Sequence, residues 1–360
     1  MKKLLMFAFA ATVAFASCSR GEILEMLVGT YTYDGGAGLY VLDFNTADAS
    51  WVLRDSAVCG NASYLVRTPD DKFVYAVNEF DAETASVEAF AKDGYKLTSL
   101  GRQRTFGGYP CFVDTNGDLL LAANYTGGTM CVYPLKDGAI QPMSQEIRGT
   151  IGGPDLSRCD TPHVHCSIFT PEGKYVFATD FSADRIMCFD IAGDTLSYRA
   201  SYPVEPDTGP RHIAFSPDGT LACVIGELSG KITLMSYNDG ALETLDTAVC
   251  DTLGARGSAD VRFSPDGRFI YASNRLAGDG IAIFKVDAAA GRLEKVAYQL
   301  TVEHPRNFSL SPDGKYLFCA GRDGNAVEIY TRDAETGLLT LTGSIPFVHP
   351  VFVRTYAQLD

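Results

Sequence analysis

Six stretches of this chain repeat one phrase, a turn signal followed by an apolar run that ends in a polar or aromatic residue. They are Thr68–Glu79, Thr115–Tyr125, Thr170–Phe181, Ser216–Glu227, Ser264–Arg275 and Ser311–Arg322. Their last residues are spaced by 46, 56, 46, 48 and 47 positions. A period in this range, with strand patterning throughout, points to a ring of four-stranded blades. The expected fold is therefore all-β, and a ring architecture accommodates 360 residues as one domain.

Each phrase follows an alternating segment, such as Arg211–Phe215 before Ser216 or Arg306–Leu310 before Ser311. Pro-Asp-Gly is turn chemistry, because proline presets φ and glycine accepts φ > 0. Strand, turn and strand form an antiparallel hairpin, the inner pair of a blade. Two further strand runs follow, for example Gly280–Val286 and Leu293–Tyr298, giving four strands per repeat. Met26–Tyr31 reads as a second strand lacking a first, and Pro350–Arg354 as a first strand lacking a second. Paired, they would complete a seventh blade and close the ring without leaving open edges. Residues 26–360 are thus expected to form one seven-bladed propeller. Residues 142–162 are the longest irregular stretch and are expected to cover one face.

The formal net charge of −14 argues against nucleic-acid binding and against adhesion to an anionic membrane surface. The N-terminus has its own logic. Lys2 and Lys3 precede the apolar run Leu4–Phe15, and then come Ala16, Ser17 and Cys18. That order reads as a signal peptide, residues 1–17, with Cys18 as the lipidated first residue of the mature chain and residues 18–25 as a short linker. An ordinary secretory signal with Cys18 incidental is the alternative. The expected location is outside the cytoplasm, anchored by lipid in the periplasm or at the cell surface, and membrane contact is expected through that anchor alone. Nine more cysteines lie mostly in apolar strand-like runs and read as small buried hydrophobes. No Cys-x-x-Cys pair occurs, so no zinc or redox centre is expected. Cys159 and Cys166, flanking the histidine segment, are the one pair placed to interact. No cofactor is expected, and a monomer is.

Counted from the turn proline, the residue six before it and the residue ten after it should lie nearly opposite each other at the open end of each hairpin. The first column holds His165, Arg211 and Arg306; the second holds Glu79, Glu227, Arg275 and Arg322, with Tyr125 and Tyr31 in equivalent places. These side chains should ring one mouth of the central channel. Arginine suits bidentate capture of carboxylate or phosphate, so an anion-binding mouth is expected. His163 and His165 stand two apart and share one face of a strand. Proton transfer, metal binding and a purely structural turn are all open to such a pair.

These motifs resemble the seven-bladed propeller lactonase family, whose best-known activity is 6-phosphogluconolactonase and which is related to a fungal muconate cycloisomerase. The resemblance rests on Leu27–Tyr31, Pro162–His165, Gly209–Gly219, Glu227–Leu228, Ser264–Arg275 and His304–Arg306, and it spans the chain beyond the signal. It implies a catalytic set of His165 (or His163), Arg211, Glu227 and Arg275. His163, Glu79, Tyr125, Arg306, Arg322 and Tyr31 are then expected to bind substrate. Gly226 stands where the family carries Asn. The implied function is hydrolysis of an anionic or sugar lactone, with export making an unphosphorylated lactone a second possibility. Lactone hydrolysis needs a base for the attacking water and a positive partner for the oxyanion. Glu227 or His165 could be the base, and Arg211 and Arg275 the anion holders. No metal is required. A lactone-forming cycloisomerase and a non-catalytic saccharide- or protein-binding propeller are the alternatives.

Overall fold

A computed structural model describes residues 21–358. The expected signal segment, residues 1–17, and the expected lipidation site Cys18 lie outside the described residues. Seven antiparallel sheets form the ring. In the closing sheet, the C-terminal strand Pro350–Ala357 pairs with Ile23–Thr30 in a register that places Val28 opposite Val353. This is the composite blade anticipated from the two orphan strands. The N-terminal strand of this blade begins at Ile23 rather than Met26, because Leu24 and Glu25 already pair with Ala357 and Tyr356. Residues 23–25 therefore belong to the propeller and not to a linker.

The six internal blades follow in chain order. Their inner strands are Leu65–Arg67, Pro110–Thr115, Val164–Phe169, Pro210–Phe215, Ser258–Phe263 and Pro305–Leu310. Blade 2 departs from four strands: its third strand pairs with both Ala139–Ile140 and Gln145–Arg148, so the outer edge is split. Between blades 2 and 3, one helical turn at Leu156–Cys159 interrupts the irregular segment. Among the described residues no helix is long and apolar enough to cross a membrane.

The repeated turn owes its sequence to local bonding. In blade 4 the Ser216 hydroxyl donates to Asp218 Oδ1 at 2.6 Å and accepts from Leu221 N at 2.9 Å, while Gly219 adopts φ +68°. Serine, aspartate and glycine each supply something the turn needs. The register of these hairpins then carries one extra residue. Pro210 pairs with Gly226, but His212 pairs with Ile225, so Arg211 is bulged out. The same irregularity sets off Arg306 between Pro305 and Asn307, Cys111 between Pro110 and Phe112, and the stretch between Val164 and Ser167 that contains His165. A bulge re-aims its side chain. Here the bulged Cys111, His165, Arg211 and Arg306 all line one pocket.

One residue further along, rings from different blades meet on the axis. Tyr64 stacks on Phe112 at 4.0 Å between centroids and touches Phe352 at 4.9 Å; His212 lies 5.2 Å from Phe112. These rings pack together one position along the inner strands from the bulged residues. The described cysteines are all free and buried. Cys159 and Cys166 do not pair: Cys159 packs with Phe181 and Leu228, whereas Cys166 belongs to the main core.

Candidate active site

A pocket at the mouth has a volume of about 290 Å³ and is lined by Glu79, Tyr125, Arg158, His165, Arg211, Glu227, Arg275 and Arg306, with Tyr109, Cys111 and Thr126. The four residues expected to be catalytic converge there. So do Glu79, Tyr125 and Arg306. The hairpin ends thus share one face, as the column reading required.

Glu227 organises the pocket. Its Oε2 accepts from Arg211 Nε at 2.9 Å and lies 3.3 Å from Arg275 Nη2; its Oε1 is 2.6 Å from Arg158 Nη2. Burial alone would raise the Glu227 pKa. Arg275, Arg211 and Arg158 outweigh it and bring the carboxyl down to about 2. Glu227 is therefore ionised throughout the working range of pH, and it is a weak base while all three guanidiniums hold it. A second pair stands across the mouth, where Arg306 Nη2 meets Glu79 Oε2 at 3.2 Å and Tyr31 OH donates to Glu79 Oε1 at 3.0 Å. Four guanidiniums face two carboxylates, an excess of two positive charges in a protein whose net charge is −14.

Arg211 is fixed from behind. It is 1 % exposed, and its Nη1 donates to Ala259 O at 2.7 Å and to His212 Nε2 at 3.1 Å. A guanidinium can only donate, so His212 Nε2 accepts and the proton sits on Nδ1, which donates to Asp260 Oδ1 at 2.8 Å. Burial and the adjacent Arg211 hold the His212 pKa down to about 3, so this ring is neutral. Asp260 also accepts from Asn307 Nδ2 at 2.6 Å. Arg275 is anchored by its Nε on Gly257 O at 2.8 Å. Burial, with Arg211 and Arg306 nearby, presses its pKa down from the usual range; a guanidinium so placed still carries its charge.

His165 is 4 % exposed, with Nδ1 3.6 Å from Cys111 Sγ. Among the described residues no group hydrogen-bonds its Nε2. Burial, then Arg211 and His212, lower its pKa well below the ordinary value, so the imidazole is neutral at physiological pH and open as a proton acceptor. Burial raises the Cys111 thiol to about 12, which leaves no thiolate nucleophile beside it.

Three expected substrate-binding residues are placed differently. Arg322 turns to its sequence neighbour, donating from Nε and Nη2 to Asp323 at 2.7 and 2.8 Å, and does not line the pocket. His163 points to Thr161 O at 2.8 Å and Ser182 Oγ at 2.9 Å, and its ring packs on Tyr125 at 4.3 Å. It is a structural support, and with His165 facing Cys111 the two histidines do not converge on a common point. Tyr31 lies behind Glu79 and holds it.

Arg158 was missed. It comes from the irregular segment, which has no counterpart in the other repeats, so no column could reveal it. The only signal was that this segment was expected to cover a face.

The chain matches the family described as "Lactonase, 7-bladed beta-propeller" over residues 25–355. It is 33% identical over 348 residues to the 6-phosphogluconolactonase of Bacillus subtilis, covering 92% of this chain and 98% of that one. A provisionally named 6-phosphogluconolactonase from Bacteroides uniformis superposes with TM-score 0.91 at 48% identity, covering 93% of this chain and 100% of that one. The periplasmic gluconolactonase of Pseudomonas aeruginosa gives TM-score 0.88 at 28% identity, covering 93% and 99%. With the fold, the match along nearly its whole described length and these relatives together, the chain belongs to the seven-bladed β-propeller lactonase family.

Proposed function

We propose that this protein hydrolyses a sugar lactone in the mouth pocket, in the manner of a 6-phosphogluconolactonase. The observation that carries the reading is the excess of guanidinium over carboxylate around a neutral, unengaged imidazole nitrogen. Arg211 and Arg275 hold the lactone carbonyl oxygen and stabilise the oxyanion that forms on attack. His165 Nε2 receives the proton of the attacking water and returns it to the ring oxygen as the C–O bond breaks. Glu227 keeps the arginine forks aligned rather than acting as base. Binding the acid product's carboxylate is within reach of the same forks.

Purified protein should accelerate opening of 6-phosphogluconolactone or gluconolactone, and a chelator should leave the rate unchanged. No acceleration with any sugar lactone in a panel would discard the reading. Consumption of a dicarboxylate with lactone formation would favour the cycloisomerase.

The pH profile is a second test. A base whose pKa is depressed stays unprotonated until the pH falls through that low value. The acid limb of kcat/KM, which reports the free enzyme, should therefore lie well below pH 6.5. An inflection at the ordinary histidine pKa would remove His165 from the base role.

We further propose that the chain is exported and lipidated at Cys18. The order of residues 2–18 supports this, and the periplasmic naming of the Pseudomonas relative is consistent with it. Mass spectrometry of the mature N-terminus decides it.

A further inference from the structure

We infer that Arg158, delivered by the segment between blades 2 and 3, reads an anionic group at the far end of the substrate and sets the pocket's specificity; this rests on the lactonase reading. Of the four pocket arginines it is the most accessible, its side chain 34% exposed against 2%, 7% and 14% for Arg211, Arg275 and Arg306. Arg211 and Arg275 each also donate to backbone carbonyls of blade 5, which immobilises them. The two hydrogen bonds of the Arg158 guanidinium go only to side chains, Glu227 Oε1 and Tyr125 OH at 3.2 Å. It also holds a different oxygen of Glu227 from the other two. A substrate anion can therefore draw Arg158 away while Arg211 and Arg275 remain on Oε2, so recognition does not dismantle the oxyanion site.

The backbone that carries Arg158 is held by contacts of its own. Asp155 accepts from Ser157 N at 3.0 Å at the start of the helical turn. Arg256 of the loop before blade 5 clamps Asp155 at 2.6 Å and Asp207 with two bonds of 2.8 Å each. Cys159, the next residue, is buried against Phe181 and Leu228. A partly exposed fork on a fixed base, in a pocket with two surplus positive charges, suits a terminal phosphoryl or carboxylate group.

The test is calorimetry on the full mature chain with 6-phosphogluconate, glucarate and gluconate, which share one carboxylate and differ in the distal group. Wild type is expected to prefer a ligand with distal charge, and whichever it prefers identifies the group. Arg158→Met should weaken that ligand by about tenfold or more, the loss expected of a charge-assisted hydrogen bond, and gluconate by less than about twofold. Arg158→Lys should recover part of the preference. Equal losses for all three ligands, no loss, or no binding of either distally charged acid to wild type would overturn the inference. Kinetics on phosphorylated and unphosphorylated lactones should show the same selective change. If wild type turns over neither lactone, the lactonase reading falls, while the calorimetric ratio still decides the role of Arg158.

Discussion

Replacing Arg211 by alanine is expected to lower kcat/KM by about 10²- to 10³-fold, the scale of losing one oxyanion donor, and to cost about 3–5 kcal/mol of stability, the scale of breaking a buried ion pair. Both effects have the same origin. Arg211 is fully buried, and its removal strips a partner from Glu227, from Ala259 O and from His212 at once. Arg211→Lys keeps a charge but cannot reach three acceptors in three directions, so it should recover stability only in part and little of the rate. Steady-state kinetics with denaturant midpoints on the same samples separates the two. A variant with normal kcat/KM would place the chemistry elsewhere.

Ending the chain at His349 is expected to abolish cooperative folding. The strand Pro350–Ala357 buries Val351, Phe352 and Val353, each worth roughly 1.5–3 kcal/mol, which together rivals a domain's whole net stability of about 5–15 kcal/mol. Its loss also exposes the edge of Ile23–Thr30 and the flank of blade 6, so aggregation should accompany unfolding. Circular dichroism melting and size-exclusion chromatography measure both. A monomeric truncated protein with an unchanged transition would show that ring closure is not needed.

The ring was readable because the turn phrase fixes its own geometry. The hydroxyl-to-aspartate bond of Ser216 and Asp218 recurs at Thr68 and Asp70, Ser264 and Asp266, and Ser311 and Asp313, so counting from the proline of such a turn locates both ends of a hairpin. The bulge that aims Arg211 inward was not readable, since an extra residue does not disturb alternation until the partner strand is known. Arg322 shows the limit of column reasoning. Asp323, one residue on, offers a local carboxylate that captures the fork before it can reach the channel. Arg158 shows the converse, because a residue on a non-repeating segment acquires a position only through tertiary contacts, here those of Asp155 with Arg256 and of Cys159 with Phe181 and Leu228. The buried relay of Asp260 and His212 behind Arg211 joins strands of neighbouring blades, a pairing that register within one hairpin does not encode.

The proposed lactone chemistry takes place among His165, Arg211, Glu227 and Arg275 at the mouth of the channel. A crystal structure with the acid product bound tests it most directly. The product carboxylate is expected between Arg211 and Arg275, with His165 Nε2 within hydrogen-bond distance of it. Product bound on the opposite face of the ring, or in the pocket without contact to either arginine, would contradict it.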